Sequence, residues 1–172
     1  CEADDIIAVL TKYYHQDEPI MIVSGDKDFI QLQYYKGVEQ YAPIQKKMVG
    51  FDEDGIKLDP KEFLLEQILK GDRSDGVPNI LSPDDCFVTG EKQKPMTKKR
   101  IEEYSNVGEL NYELSVRYNR NKKLIDLSEV PEVYEDAIIN SYRSYKVNDR
   151  SKLLTYFIEN KLKSLMENIS DF

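Results

Sequence analysis

The sequence predicts an α/β fold in which part of a parallel-sheet domain is followed by a helical lobe. Three observations predict it. The run Ile20-Met21-Ile22-Val23 is short and apolar without alternation, the pattern of a strand buried on both faces. An amphipathic segment, Cys1–Gln16, precedes it and makes a helix–strand unit. Beyond Thr97 every segment reads as helical.

The first helix carries Ala3, Ile6, Ile7, Leu10, Tyr13 and Tyr14 at three- and four-residue spacings. After the strand, Ser24-Gly25 turns the chain, and Phe29, Ile30 and Leu32 open a further helical stretch. Val38–Phe51 reads as two short strands around Pro43 near the edge of the sheet. The segment from Asp59 to Gly71 has the strongest helix signals: Asp59 as N-cap, Pro60 in the first turn, Glu62 closing a capping box and Gly71 as stop. Its apolar face is Phe63, Leu64, Ile68 and Leu65. From Leu81 to Pro95 the chain is polar, broken by proline and glycine and rich in lysine, the composition of a long mobile loop. Helices are expected over 97–105, 109–118, 131–145 and 151–168, with no internal repeat.

The 172 residues can bury a core, and no 18-residue apolar stretch is present. Cys1 and Cys86 form neither a metal spacing nor a disulfide framework, which suits a reducing cytoplasm. The first residue is Cys and a helix begins at once, so the chain reads as a fragment of a longer protein. The net charge of −8 argues at first against nucleic acid, but the basic residues are bunched. Lys92, Lys94, Lys98, Lys99 and Arg100 form one group, and Arg120, Lys122 and Lys123 a second. Each bunch is either a solvated face or a phosphate contact.

Three acidic clusters carry the chemistry. Glu2, Asp4 and Asp5 crowd the first turn of the first helix, where a helix dipole favours acids but needs only one. If Glu2 and Ala3 are still extended, Glu2 and Asp4 project the same way. Asp26 and Asp28 end the buried strand, where ligands of parallel sheets sit and where either could instead cap the next helix. Asp72 and Asp75 frame the turn "GDRSDGVPNI", whose composition also suits an ordinary loop. Together these seven carboxylates would raise one another's pKa unless a cation joined them, and magnesium accepts such oxygen donors with water and phosphate. They account for nearly all of the net charge, so the remaining surface is close to neutral. Other site chemistries fail. Aligning Gly55 of "GFDEDGIKLDPK" as a calcium-loop glycine puts Gly50 at position one and Lys61 at position twelve. His15 has no partner suited to catalysis, and no nucleophile elbow, P-loop or zinc spacing occurs.

"EADD", a strand ending in "SGDKDF", and then "GDRSDGVP" resemble the ordered acidic signature of the flap endonuclease (5′-nuclease) family, in its T-even bacteriophage branch. The likeness continues through "YNRNKKLIDL" and "NSYRSYK". It implies a PIN-like parallel-sheet nuclease domain whose C-terminal part is residues 1–58. A helix-turn-helix-like DNA clamp and loop over 59–95 and a helical C-terminal domain over 96–172 would follow. It implies two magnesium ions, with manganese able to substitute. Glu2, Asp4 and Asp26, with Asp5, would serve one ion, and Asp28, Asp72 and Asp75 the other. Lys70, Arg73, Ser74, Gly76 and Val77 at the turn would contact DNA, joined by Lys92, Lys94, Lys98, Lys99 and Arg100.

The implied substrate is duplex DNA or RNA/DNA with a 5′ end or flap, cut in phage replication during primer removal. Phage replication proteins are the expected class of protein partner, and the full-length enzyme is expected to be a cytoplasmic monomer without membrane attachment. The family's glycine-lysine hairpin is replaced here by "LSPDDCFVTGEKQKPMTKKR", which removes its potassium-linked duplex contact from the expectation. The family's N-terminal strands and two further aspartates are not in this sequence, so an open sheet edge and little activity of the chain alone are expected. A non-catalytic DNA-binding or replication-scaffold module and a PIN-type ribonuclease are the alternatives.

Overall fold

In the computed structural model, which describes residues 1–146 and 150–171, the chain forms two compact units, Cys1–Ile139 and Asn140–Phe172. The first begins with α1 (Ala3–Tyr14), β1 (Ile20–Val23), a 3-10 helix (Lys27–Tyr34), β2 (Val38–Ala42) and β3 (Lys47–Met48). The sheet order is β1-β2-β3. β1 and β2 are parallel with Ile22 opposite Gln40, and β2 and β3 form an antiparallel hairpin around the Pro43 turn. The crossover between the parallel strands is the 3-10 helix, and Phe29 and Leu32 on it pack with Ala8, Ile22 and Val38.

β1 is covered on one face only. Ile22 is buried, whereas Met21 and Val23 are 48% and 64% exposed, so the expectation of two buried faces fails here. The reason is its position: β1 is the sheet edge, α1 covers one side, and no described element covers the other. The open apolar edge expected from the sequence is thus present. The buried face of α1 also differs from the expected stripe. Ala8, Val9 and Thr11 are buried while Ala3, Ile6 and Tyr13 are exposed. α1 is held between two partners, with Ala8 against the sheet and Val9 against Ile138 and Ile139, so its buried arc is shifted. Lys12 forms an ion pair with the buried Glu135 carboxylate at 2.7 Å. His15 stacks on Tyr35, ring centroids 4.5 Å apart, and lies outside the acidic site.

α2 (Pro60–Lys70) starts as expected, with Asp59 accepting the Lys61 and Glu62 N–H groups, but Glu62 does not close the box. Ile68 and Leu69 form its buried end, and Leu69, which the sequence pattern missed, packs on Ile80 and Leu81. Gly71 ends the helix at φ 69° and ψ 179°. A Cβ there would lie 2.3 Å from the Val77 carbonyl oxygen, so only glycine fits.

The lysine-rich stretch is more fixed than a mobile loop. It contains α3 (Cys86–Thr89), and Ser82 and Cys86 are fully buried. Asn79 Nδ2 donates to the Lys94 carbonyl at 2.8 Å, the Lys94 N–H donates to Ser82 Oγ at 2.9 Å, and Ser82 Oγ donates to Asn79 Oδ1 at 2.9 Å. Buried polar groups that satisfy one another in this way pin both ends of the segment.

α4 (Lys98–Asn106) is capped by Thr97, and α5 (Tyr112–Ile125) by Asn111. α5 runs well past the expected end at Tyr118. Its fully buried Asn121 donates to the Ile68 and Pro78 carbonyls at 2.8 and 2.9 Å, joining α5 to α2 and the following turn. Arg120 donates to Pro78 and Asn121 and pairs with Asp84, so it is a strut rather than part of a solvated basic face. Gln31 braces the 3-10 helix against the residues after α5, donating to the Ile125 carbonyl at 3.1 Å and accepting the Leu127 N–H at 2.8 Å. α6 (Glu132–Ser144) matches the expected span.

In the second unit one long helix was expected. Instead α7 (Leu153–Glu159) and α8 (Lys163–Glu167) are separated where Lys161 adopts φ 55°. The expected span over 151–168 begins beside residues 147–149, which lie outside those described.

Candidate active site

The three acidic clusters lie at the end of β1, the start of α1 and the end of α2. Glu2 is the extended N-cap of α1, and it forms a reciprocal box with Asp5: the Glu2 side chain accepts the Asp5 N–H, and Asp5 Oδ2 accepts the Glu2 N–H at 2.8 Å. Ala3 is already helical, so the expected period-two alignment of Glu2 with Asp4 does not apply. Asp4 feels the other clusters all the same. Burial holds its carboxyl above the usual carboxylate range, and the charges of Asp26, Glu2, Asp5 and Asp75 push the same way.

Asp26 caps the 3-10 helix, its Oδ1 accepting the Asp28 N–H at 3.0 Å. The capping reading is therefore correct for Asp26 without excluding a second role. Burial also raises the Asp28 carboxyl, against a lowering hydrogen bond from Gln67, and the charges of Asp26, Asp72 and Asp75 raise it further. Asp72 has the opposite shift. Ser74 Oγ–H donates to its Oδ1, as do the Ser74 and Asp75 N–H groups, which holds the Asp72 carboxyl below the usual range. Asp72 thus builds the turn, as the loop reading predicted, while it also contributes to the field at Asp28. Asp75 is exposed and adds its charge at both Asp4 and Asp28.

Carboxylates from three separated segments therefore act on one another. Among the described residues, however, no group of three or more His, Cys, Asp or Glu side chains is arranged to hold a metal ion.

Two residues that sequence reasoning missed order this region. Gln40, in β2 and fully buried, donates to the carbonyls of Ser24 and Asp26 at 2.9 and 2.5 Å. Gln67, on α2, donates to Asp28 Oδ1 at 2.6 Å. The side-chain carbonyl oxygens of both glutamines are buried and have no hydrogen-bond donor among the described residues. The one available signal for Gln40 was its place between Val38 and Ala42 on one face of β2. For Gln67 the pattern offered none, since glutamine is an ordinary helix former.

The expected nucleic-acid contacts divide. Arg73, Ser74 and Gly76 are exposed on the turn, and Lys70 is exposed but paired with Glu66. Val77 is a correction: its side chain is buried with Ile68 and Ile125, and its N–H donates to the Asp72 carbonyl at 2.6 Å. Neither is available to a backbone phosphate. Lys92, Lys94, Lys98, Lys99 and Arg100 are all exposed, with Arg100 Nη1 bonded to the Pro95 carbonyl at 2.7 Å.

A family model described as "T4 RNase H, C terminal" matches residues 60–172. The chain belongs to this family. It is 34% identical to the ribonuclease H of Enterobacteria phage T4 over 99% of this chain and 58% of that protein. It is also 30% identical to a 5′-3′ exonuclease of Bacillus subtilis, over 67% of this chain and 38% of the relative. A DNA polymerase I of Streptococcus pneumoniae is 41% identical over 46% of this chain and 10% of its own length. The chain thus spans little more than half of the phage relative and smaller parts of the other two. Family membership rests on the C-terminal match, whereas the phage likeness extends across the acidic segments of residues 1–58 as well. No described helix is long and apolar enough to cross a membrane.

Proposed function

We propose that this protein is a structure-specific 5′ to 3′ nuclease that hydrolyses phosphodiester bonds of RNA primers or 5′ DNA ends on duplex, in phage DNA replication. One observation carries the reading: burial makes Asp4 and Asp28 resist ionisation, and carboxylates on the other acidic segments push both the same way. A fold gains nothing from that repulsion, and a cation would relieve it.

The donor set fits hydrated magnesium. All the candidate donors are hard oxygens, magnesium keeps several waters rather than demanding a protein cage, and Gln67, which bonds Asp28, has a buried amide oxygen lacking a donor that bound water would supply. Glu2, Asp4 and Asp26 would serve one ion, with Asp5 holding Glu2 in place, and Asp28, Asp72 and Asp75 the second. Two such ions supply an activated water and charge stabilisation for in-line displacement. The turn after α2, with Lys70, Arg73, Ser74 and Gly76, would approach the duplex backbone as part of the helix-turn-helix-like clamp over 59–95. Residues 96–172 would be the helical C-terminal domain, and residues 1–58 the PIN-like sheet portion.

The non-catalytic scaffold reading draws support from Asp72, whose Oδ1 is fully used in its turn, and from the missing three-ligand group. Cleavage of a 5′-flap duplex with and without magnesium separates the two readings. The full-length protein is expected to release 5′-end products only with the ion. Residues 1–172 alone are expected to release little, because their acids do not close on one point. Robust cleavage by residues 1–172 would overturn the second expectation, and metal-independent behaviour of the full-length protein the first.

The basic bunch yields a separate expectation. Replacing Lys98, Lys99 and Arg100 together by alanine should weaken duplex binding and flatten its salt dependence. Each lost phosphate contact lowers the magnitude of the log–log slope by about 0.9. Titrations at several salt concentrations measure it, and an unchanged slope means that these side chains are only solvated.

A further inference from the structure

Asp26 and Asp28 are held by a relay that runs from the sheet to α2. Gln40 occupies the centre of β2, opposite Ile22 of β1, and spends both amide hydrogens on the loop that leaves β1. Its donation to the Asp26 carbonyl fixes the backbone that carries the first carboxylate. Asp26 Oδ1 in turn accepts the Asp28 N–H, which fixes the start of the 3-10 helix. Gln67 then reaches across from α2 and holds Asp28 Oδ1. Two aspartates one residue apart are therefore restrained from both sides, by side chains that carry no charge and add none to the repulsion.

The free ends of the two glutamines point to the same purpose. In a merely structural amide both ends are normally satisfied, because an unpaired buried acceptor has lost its water and gained nothing in return. Here Gln40 Oε1 and Gln67 Oε1 are both buried without a donor among the described residues. Gln40's partners in the relay are two backbone carbonyls and Gln67's is the Asp28 carboxylate, which ionised is an acceptor only, so none of them supplies a donor. A hydrated cation can, since its water presents O–H groups outward.

Resting on the nuclease reading above, we infer that Gln67, with Gln40 behind it, is a positioning residue of the carboxylate site: it fixes Asp28 with its amide N–H and takes up a donor from the hydration shell of a divalent cation with its carbonyl oxygen. Neither glutamine touches substrate, and each acts through an aspartate.

The test uses the full-length protein with manganese as the probe, following free Mn²⁺ by electron paramagnetic resonance alongside the urea midpoint of unfolding and flap cleavage. Gln67→Met keeps the volume and removes both polar ends, and Gln67→Glu keeps the shape but cannot donate when ionised. Both are expected to weaken Mn²⁺ binding by ~10–100-fold, the usual effect of losing an outer-shell partner, with cleavage falling in kcat more than in KM. The midpoint should be little changed in Gln67→Met. Wild-type Mn²⁺ affinity in both variants would overturn the positioning role, even if the midpoint fell, and would leave the nuclease reading standing. Equal Mn²⁺ binding by wild type and Asp28→Asn would overturn the metal reading itself, and the inference with it.

Discussion

Asp28→Asn is expected to make the protein more stable and far slower. The carboxyl is half-buried beside Asp26, Asp72 and Asp75, and burial is the largest cause of its raised pKa. The sign follows from linkage. A folded pKa above the unfolded value near ~3.9 means that the native state binds the proton more tightly. The associated stability is complete below the unfolded pKa and is lost as pH rises through the folded one. Asp4 has the same sign and Asp72 the opposite, because its turn favours the charged form. Asparagine at 28 keeps an oxygen to accept from Gln67 Nε2 and removes the charge. Without divalent ions its urea midpoint should therefore exceed that of the wild type at neutral pH, and the difference should shrink as pH falls toward ~4. Cleavage in magnesium should drop by at least ~10²-fold, since metal-supplied stabilisation is worth several kcal/mol and each 1.36 kcal/mol is tenfold. Loss of stability in Asp28→Asn together with undiminished cleavage would mean that the carboxylate is structural.

Gly71→Ala is expected to be severely destabilising. Gly71 stands at φ 69° and ψ 179°, a region other residues rarely enter, at a cost on the order of 1–3 kcal/mol. The added Cβ would also meet the Val77 carbonyl oxygen at 2.3 Å and Pro78 carbonyl atoms at 2.6 Å. Those neighbours cannot retreat, because Asn121 and Arg120 both hold the Pro78 carbonyl. A total of ~3 kcal/mol or more follows, seen as a lower urea midpoint at unchanged slope. Asp72 and Asp75 follow this helix stop directly, so cleavage should fall with stability. A Gly71→Ala protein with the wild-type midpoint would show that the turn can shift at little cost.

The legible parts of this fold were those set by local chemistry. Asp59, Pro60 and Gly71 bound α2 as read, Thr97 caps α4, and the Pro43 turn joins two short strands. What could not be read was set by what each element packs against. An unbroken apolar run states that a strand can be buried on both faces, not that a second cover is present, and Met21 and Val23 are exposed. The arc of α1 is set by α6, over a hundred residues away in sequence. The lysine-rich segment looked mobile because its order comes from Asn79 and Ser82, two small polar residues of the kind that also make loops. At the site the acids were legible as charges at element ends. Gln40 and Gln67 were not, since an uncharged amide has no periodicity and its role exists only after β2 and α2 are placed.

The measurement that bears most directly on the carboxylate site is cleavage rate against magnesium concentration for Asp75→Asn and Asp72→Asn, beside DNA affinity in calcium. Asparagine suits the turn as well as aspartate does, and at 72 it retains the Oδ1 that accepts the Ser74 and Asp75 N–H groups. A turn built by these residues for its own sake should tolerate both changes. The metal reading predicts that both variants fold, bind branched DNA in calcium as the wild type does, need more magnesium, and cleave far more slowly. Wild-type cleavage by both variants at the wild-type magnesium requirement would contradict it.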